Sequence, residues 1–200
     1  MSVPRQQETR SATRIPTQSR PEEYSPQPSR AASGARSLAV LRIVLGLVFL
    51  WSFADKLFGW GYSTPSADSW IRGGSPTRGV LSAVDAGPFA PMFHAWAGTW
   101  WADWLFMLAL LGIGLALVAG VALRITAVAG TVLLLLMWAA EWPLARTTGA
   151  GAATHSSNPI VDYHLVYALV LLALAATAAG DTWGLGRRWA ALTGTRTWLR

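Results

Sequence analysis

The sequence predicts an all-α integral membrane protein: a four-transmembrane-helix bundle with short interfacial helices in the first outer connection and a disordered N-terminal tail. Three observations lead there. Apolar residues make up 52% of the 200-residue chain and charged residues only 13%, about half the charged share of a soluble domain. Four apolar runs, each of roughly the 20 residues needed to cross ~30 Å of hydrocarbon, alternate with polar connections. The 12 Trp gather near the ends of those runs, where an apolar ring with one hydrogen-bonding N–H suits the membrane–water interface.

Residues 1–36 are rich in Arg, Ser, Pro, Gln and Thr and poor in large apolar side chains. Such a segment buries too little surface to offset its ordering entropy, so it reads as a disordered cytoplasmic tail. Its polar stretch is too long for the n-region of a signal peptide. Residues 37–183 read as the transmembrane domain. The first span is 37–58, SLAVLRIVLGLVFLWSFADKLF. Arg42 stands near its start, where it is expected to snorkel to the cytoplasmic headgroups. Asp55 and Lys56 close the span.

The outer connection, 59–102, opens with Gly and Pro residues that forbid a regular spanning helix. Its second half is apolar and aromatic but broken by Gly87, Pro88 and Pro91, a pattern for one or two short helices in the interface or a re-entrant segment packed on the bundle. The second and third spans, 103–123 and 125–143, are separated by Arg124 alone, which predicts a tight antiparallel hairpin. A polar loop leads to the fourth span, 160–179. Residues 184–200 form a basic cytoplasmic tail with an expected interfacial helix. Small residues are expected to pack helices together, with Gly112, Ala116 and Gly120 on one face of the second span and Ala175 with Ala179, or Ala176 with Gly180, on the fourth.

Charge sets the orientation. Arg5, Arg10, Arg14, Arg20, Arg30 and Arg36 precede the first span, and Arg187, Arg188, Arg196 and Arg200 follow the last. With Arg124 they obey the positive-inside rule when both termini are cytoplasmic in a cell membrane, and only an even number of spans allows this. The same placement explains a pI near 10.7 by the lipid bilayer as partner, without nucleic acid. Trp60, Trp70, Trp96, Trp100, Trp101, Trp104, Trp138 and Trp142 then mark the outer interface, and Trp183, Trp189 and Trp198 the inner one.

Cysteine is absent, which excludes disulfides, thiolate metal sites and a persulfide on this chain. Haem with two axial His needs both on facing helices, but His94 and His155 fall in connections. No Gly-rich strand–turn–helix supports a flavin or nicotinamide site. No nucleophilic triad is formed, and no metal site is expected.

The ionisable residues at membrane depth fall at one level. Asp55, Lys56, Asp103, Glu141, Asp162 and His164 all lie within about two turns of the outer boundary. Charges there are costly unless they face one another or a wet pocket, so they predict an outward-facing polar pocket. Tyr163 and Tyr167, one turn apart, would add hydroxyls. Arg72, Arg78 and Arg146 are candidates for anion binding. Against the pocket stands the plainer reading that these groups anchor helix ends in the interface.

The run Arg42-Ile-Val-Leu-Gly46-Leu-Val-Phe49-Leu, leading to Asp55-Lys56-Leu57, resembles the R-x-x-x-G-x-x-F-L…K-L signature of DoxX-like membrane proteins. Gly112-Ile-Gly114 followed by Arg124 is similar to that family's second hairpin. Asn158-Pro-Ile-Val-Asp162-Tyr-His164 resembles the start of its last span, and Gly180-Asp181 to Gly186 its ending. The likeness covers about 38–186, and the long first connection looks closer to the DoxD branch. That resemblance implies the membrane subunit of a thiosulfate:quinone oxidoreductase, with quinone as electron acceptor and a second protein subunit as partner. A non-enzymatic membrane scaffold or small-solute binding protein is the other reading.

Overall fold

The computed structural model describes residues 28–154, 156 and 158–199. His155 and the first 27 residues lie outside them. Among the described residues the protein is helical, and its one β-type pairing is an isolated bridge between Thr147 and Ala153. Seven α-helices follow in order: α1 (Pro28–Phe58), α2 (Arg78–Ser82), α3 (Ala90–Trp96), α4 (Trp100–Ala119), α5 (Leu123–Glu141), α6 (Tyr163–Ala176) and α7 (Gly186–Thr193).

Three of these helices, α1, α4 and α5, are long and apolar enough to cross a membrane, while α6 is apolar but shorter. Packing inside the protein buries only 28%, 39% and 33% of the three long apolar windows. Leu41, Val44 and Leu47 on α1, Leu105, Leu108 and Leu115 on α4, and Val128 and Val132 on α5 remain exposed. Apolar faces of that extent require lipid as their solvent, since water would make them an aggregation surface.

The first helix starts at Pro28, nine residues before the expected 37. Ala31, Ala32 and Ala35 are strong helix formers, and Pro suits a first helical position. The 31 residues of α1 reach ~46 Å at ~1.5 Å each, so its polar first turns stand clear of the hydrocarbon. The hairpin turn also shifts. Helix α4 ends at Gly120 in a left-handed conformation, φ 72°, and Ala122 caps α5 at φ 51°, so Arg124 belongs to α5.

The four apolar helices pack in the order α1–α4–α5–α6, and α6 returns to touch α1. Their shared core includes Leu45, Phe49, Leu110, Ile113, Leu117, Leu134, Leu171 and Leu174. The close approach between α1 and α4 is made by Gly46 and Gly114, not by Gly112. A Cβ at Gly46 would sit 2.9 Å from Val118 Cγ2 and 3.1 Å from the Gly114 carbonyl, whereas Gly112 faces open space. Helix periodicity explains the difference. Gly112 and Gly114 lie about 200° apart around the axis, so only one can meet the neighbour.

Arg42 does not snorkel. It is 0% exposed and its guanidinium clamps four backbone carbonyls. Nη1 donates to Leu117 at 2.5 Å and Val118 at 3.0 Å, and Nη2 to Thr182 at 3.4 Å and Trp183 at 3.0 Å. The first two are among the last carbonyls of α4, which lack ordinary helical partners and carry the negative end of the helix dipole. An inward site thus satisfies the cation better than the headgroups do. At the same end, a Cβ on Gly180 would strike the backbone of Gly120. The C-terminal segment docks there too, with Arg124 Nη1 donating to the Thr197 carbonyl at 2.9 Å. Helix α7 falls within the stretch expected to form an interfacial helix, and Trp189 Nε1 donates to the Leu199 carbonyl at 2.6 Å.

Candidate functional site

The opposite end of the bundle holds the predicted polar residues, and the structure divides them into two groups. Asp55 and Asp103 are buried and hold the connection 59–99 in place. Asp55 accepts from Ser63 Oγ at 2.7 Å, from the Ser63 N–H at 3.0 Å and from the Tyr62 N–H at 3.3 Å. Asp103 Oδ1 accepts from Thr77 Oγ1 at 2.6 Å, Ser75 Oγ at 2.8 Å and the Thr77 N–H at 3.0 Å. A carboxylate accepting several hydrogen bonds tolerates burial because its charge is shared with fixed donors. The partners Ser63, Ser75 and Thr77 carry no periodic signal, so the sequence offered no sign of them beyond their clustering with Gly and Pro.

The second group meets where α5 ends and α6 begins. Asp162 is the N-cap of α6. Its Oδ1 accepts from the His164 and Leu165 N–H groups at 3.1 and 3.2 Å, and its Oδ2 lies 2.7 Å from His164 Nδ1. An acceptor side chain at this position satisfies orphan N–H groups of the first turn. His164 is 0% exposed, and its Nε2 lies 3.9 Å from Glu141 Oε1 without a hydrogen-bond partner. Tyr163 donates its hydroxyl to the same Glu141 oxygen at 2.7 Å. The expected contribution of Tyr163 is present, and Tyr167 meets its ring edge-to-face, with centroids 6.1 Å apart.

Glu141 also lines an open cleft of about 580 Å³ formed by α4, α5 and the connection. Its walls are mainly apolar: Phe93, Trp96, Trp101, Leu105, Phe106, Val132, Leu133, Leu136 and Met137. Lys56, Thr77, Asp85 and Glu141 supply its polar groups. The Lys56 Nζ sits 5.8 Å from the centroid of the Phe106 ring, within cation–π range. An aromatic belt rings the same level. Trp70 meets Trp104 at 4.7 Å, Trp96 meets Trp101 at 5.4 Å, and Trp51 meets Trp60 at 5.3 Å between centroids.

Arg72, Arg78 and Arg146 do not join the cleft. All three are exposed, and none lines it. His94 lies in α3 within the connection, its Nε2 2.6 Å from the Val84 carbonyl, away from any facing helical His among the described residues.

Comparison with protein-family models, curated proteins and solved structures finds no match for this chain. The chemistry of the site therefore rests on the arrangement itself: an apolar cleft with a few polar groups, next to a buried imidazole between two carboxylates.

Proposed function

We propose that the chain is a four-crossing membrane protein, with both termini cytoplasmic, whose cleft binds a quinone. On this reading it is the membrane subunit of a quinone-linked oxidoreductase of the DoxX-like, DoxD-type class. The observation that carries the proposal is the cleft. Its ~580 Å³ falls within the ~300–1,000 Å³ of ligand sites, which pair apolar walls with a few placed polar groups. A quinone has that composition, with a flat apolar ring, two carbonyl acceptors and an apolar tail. Lys56 is a donor for one carbonyl, and the Trp and Phe side chains offer faces for the ring.

The fourth crossing is supported by charge placement and by the segments flanking α6. Its 14 residues span only ~21 Å, but Ile160–Asp162 before it and Thr177–Asp181 after it extend the path. Thiosulfate as the reductant is supported by the DoxD-like motifs alone. Because the chain has no cysteine, any sulfur-carrying thiol belongs to a partner subunit.

The test is quinone binding to the purified chain, followed by lipid extraction and by titration with a short-chain ubiquinone analogue. Wild type should retain quinone, and Ala109→Phe, which fills the cleft, should abolish binding without loss of folding. Lys56→Met should weaken it about tenfold, as expected for loss of one hydrogen bond to a charged donor. Equal binding by wild type and Ala109→Phe defeats the proposal. Binding without thiosulfate-dependent quinone reduction in native membranes would leave a small-solute binding protein.

A further inference from the structure

We propose that Glu141, Asp162 and His164 form a binding site for a divalent transition-metal ion of the zinc class, ligated by His164 Nε2 and the Glu141 carboxylate, with Asp162 holding the imidazole in place. Ligand atoms of the three residues lie within 4.8 Å of one another. Proximity of acidic groups is common on protein surfaces, but this cluster has a second feature.

That feature is the tautomer of His164. Both Asp162 oxygens are engaged, one by the two backbone N–H groups of the helix cap and one by His164 Nδ1. A carboxylate is an acceptor only, so Nδ1 carries a proton, and with the ring neutral Nε2 presents a lone pair. This lone pair is fully buried, has no donor, and faces Glu141 Oε1 at 3.9 Å. The Glu141 carboxylate is also an acceptor. With the ring neutral, two lone-pair atoms face each other in a partly buried site, an arrangement that a cation between them relieves. The remaining neighbour, the Tyr163 hydroxyl, donates to Glu141 Oε1 at 2.7 Å and fixes that carboxylate rather than filling the gap.

The geometry is that of the carboxylate–histidine–metal arrangement, in which an outer carboxylate orients the ligating ring and raises its basicity. Tetrahedral ligands at ~2.1 Å stand roughly 3.4 Å apart, so a small rotation of the half-exposed Glu141 closes the distance. One imidazole and one carboxylate match ions of the zinc, iron and manganese class better than calcium or magnesium, which take oxygen alone. Two protein ligands leave the remaining coordination positions of such an ion to water or to a ligand. The site is independent of the quinone reading and is measured without it.

The full chain, purified in detergent and stripped with a chelator, should bind one Zn²⁺ per chain by calorimetry and by elemental analysis. Glu141→Gln keeps size and fold at a half-exposed position and should weaken binding at least about tenfold. Asp162→Asn keeps the helix cap but turns the ring to its other tautomer, and should weaken binding roughly 10–100-fold. His164→Ala should abolish it. Loading with Co²⁺ should give visible d–d bands that Glu141→Gln removes. Absence of stoichiometric zinc, or unchanged zinc affinity in Glu141→Gln, overturns the site. So does a ¹⁵N spectrum of the metal-free protein with both His164 nitrogens protonated at neutral pH, because the lone pair would then not exist.

Discussion

The two ends of the helical bundle handle buried polarity in opposite ways. At one end Arg42 brings a full positive charge inside and gives both guanidinium NH₂ groups to the carbonyls of Leu117, Val118, Thr182 and Trp183. Around it, Gly120 and Gly180 bring backbones into contact. At the other end His164 is equally buried, yet its Nε2 has no hydrogen-bond partner and a cleft of about 580 Å³ begins beside it. A guanidinium whose NH₂ groups are matched to carbonyls locks helices together. A buried imidazole whose Nε2 lacks a hydrogen-bond partner locks nothing in this way. On the proposed reading, stability and ligand binding are placed at separate levels of one small bundle.

Four changes break or sharpen that contrast. The largest effect should come from Arg42→Ala, which leaves carbonyls at the α4 end without their donor. Since a hydrogen bond to a charged group contributes about 1.5–3 kcal/mol, denaturant titration in detergent should show a loss of ~3–4 kcal/mol. Arg42→Lys should recover only part of it, because one ammonium cannot reach carbonyls from two segments at once. Next, Gly46→Leu should cost ~1–3 kcal/mol by overpacking the α1–α4 contact, whereas Gly112→Leu should be neutral in the same titration. Asp103→Ala should lower stability by about 1–2 kcal/mol through loss of its hydrogen bonds to Ser75 and Thr77. It should also raise protease sensitivity between residues 70 and 99, a change visible as a new cleavage fragment. The smallest effect belongs to Arg72→Ala and Arg146→Ala. Exposed and away from the cleft, they should stay within ~0.5 kcal/mol of wild type and leave quinone and zinc binding unchanged.

Much of this arrangement follows from residue patterns. The long apolar runs announce α1, α4 and α5, and the Gly and Pro spacing announces short helices in the connection, found as α2 and α3. Placing Glu141, Asp162 and His164 at one level was possible because each stands at the polar end of an apolar run. Other features depend on partners that have no periodicity. Asp55 and Asp103 looked like members of the same cluster, but Ser63 and Thr77 from a loop reach them first. Arg42 looked like an anchor for headgroups because its position in the run gives depth and not direction. The carbonyls that keep it inside come from the α4 terminus, at Leu117 and Val118, and from the return of residues 182 and 183 to that terminus. Helix α6 starts at Tyr163 and not at the expected 160, because Asp162 caps it by accepting from the His164 and Leu165 N–H groups.

The shortness of α6 has a consequence for the surrounding bilayer. On the four-crossing topology, a rigid rod of ~21 Å must serve a hydrocarbon slab of ~30 Å, and such a mismatch is met by local thinning or tilt. Where the flanking segments do not make up the difference, thinning of the lipid next to Tyr163 would bring water toward the buried imidazole. Reconstitution into vesicles of increasing acyl-chain length becomes a physical control on the site, with thick membranes resisting that approach of water and thin ones favouring it.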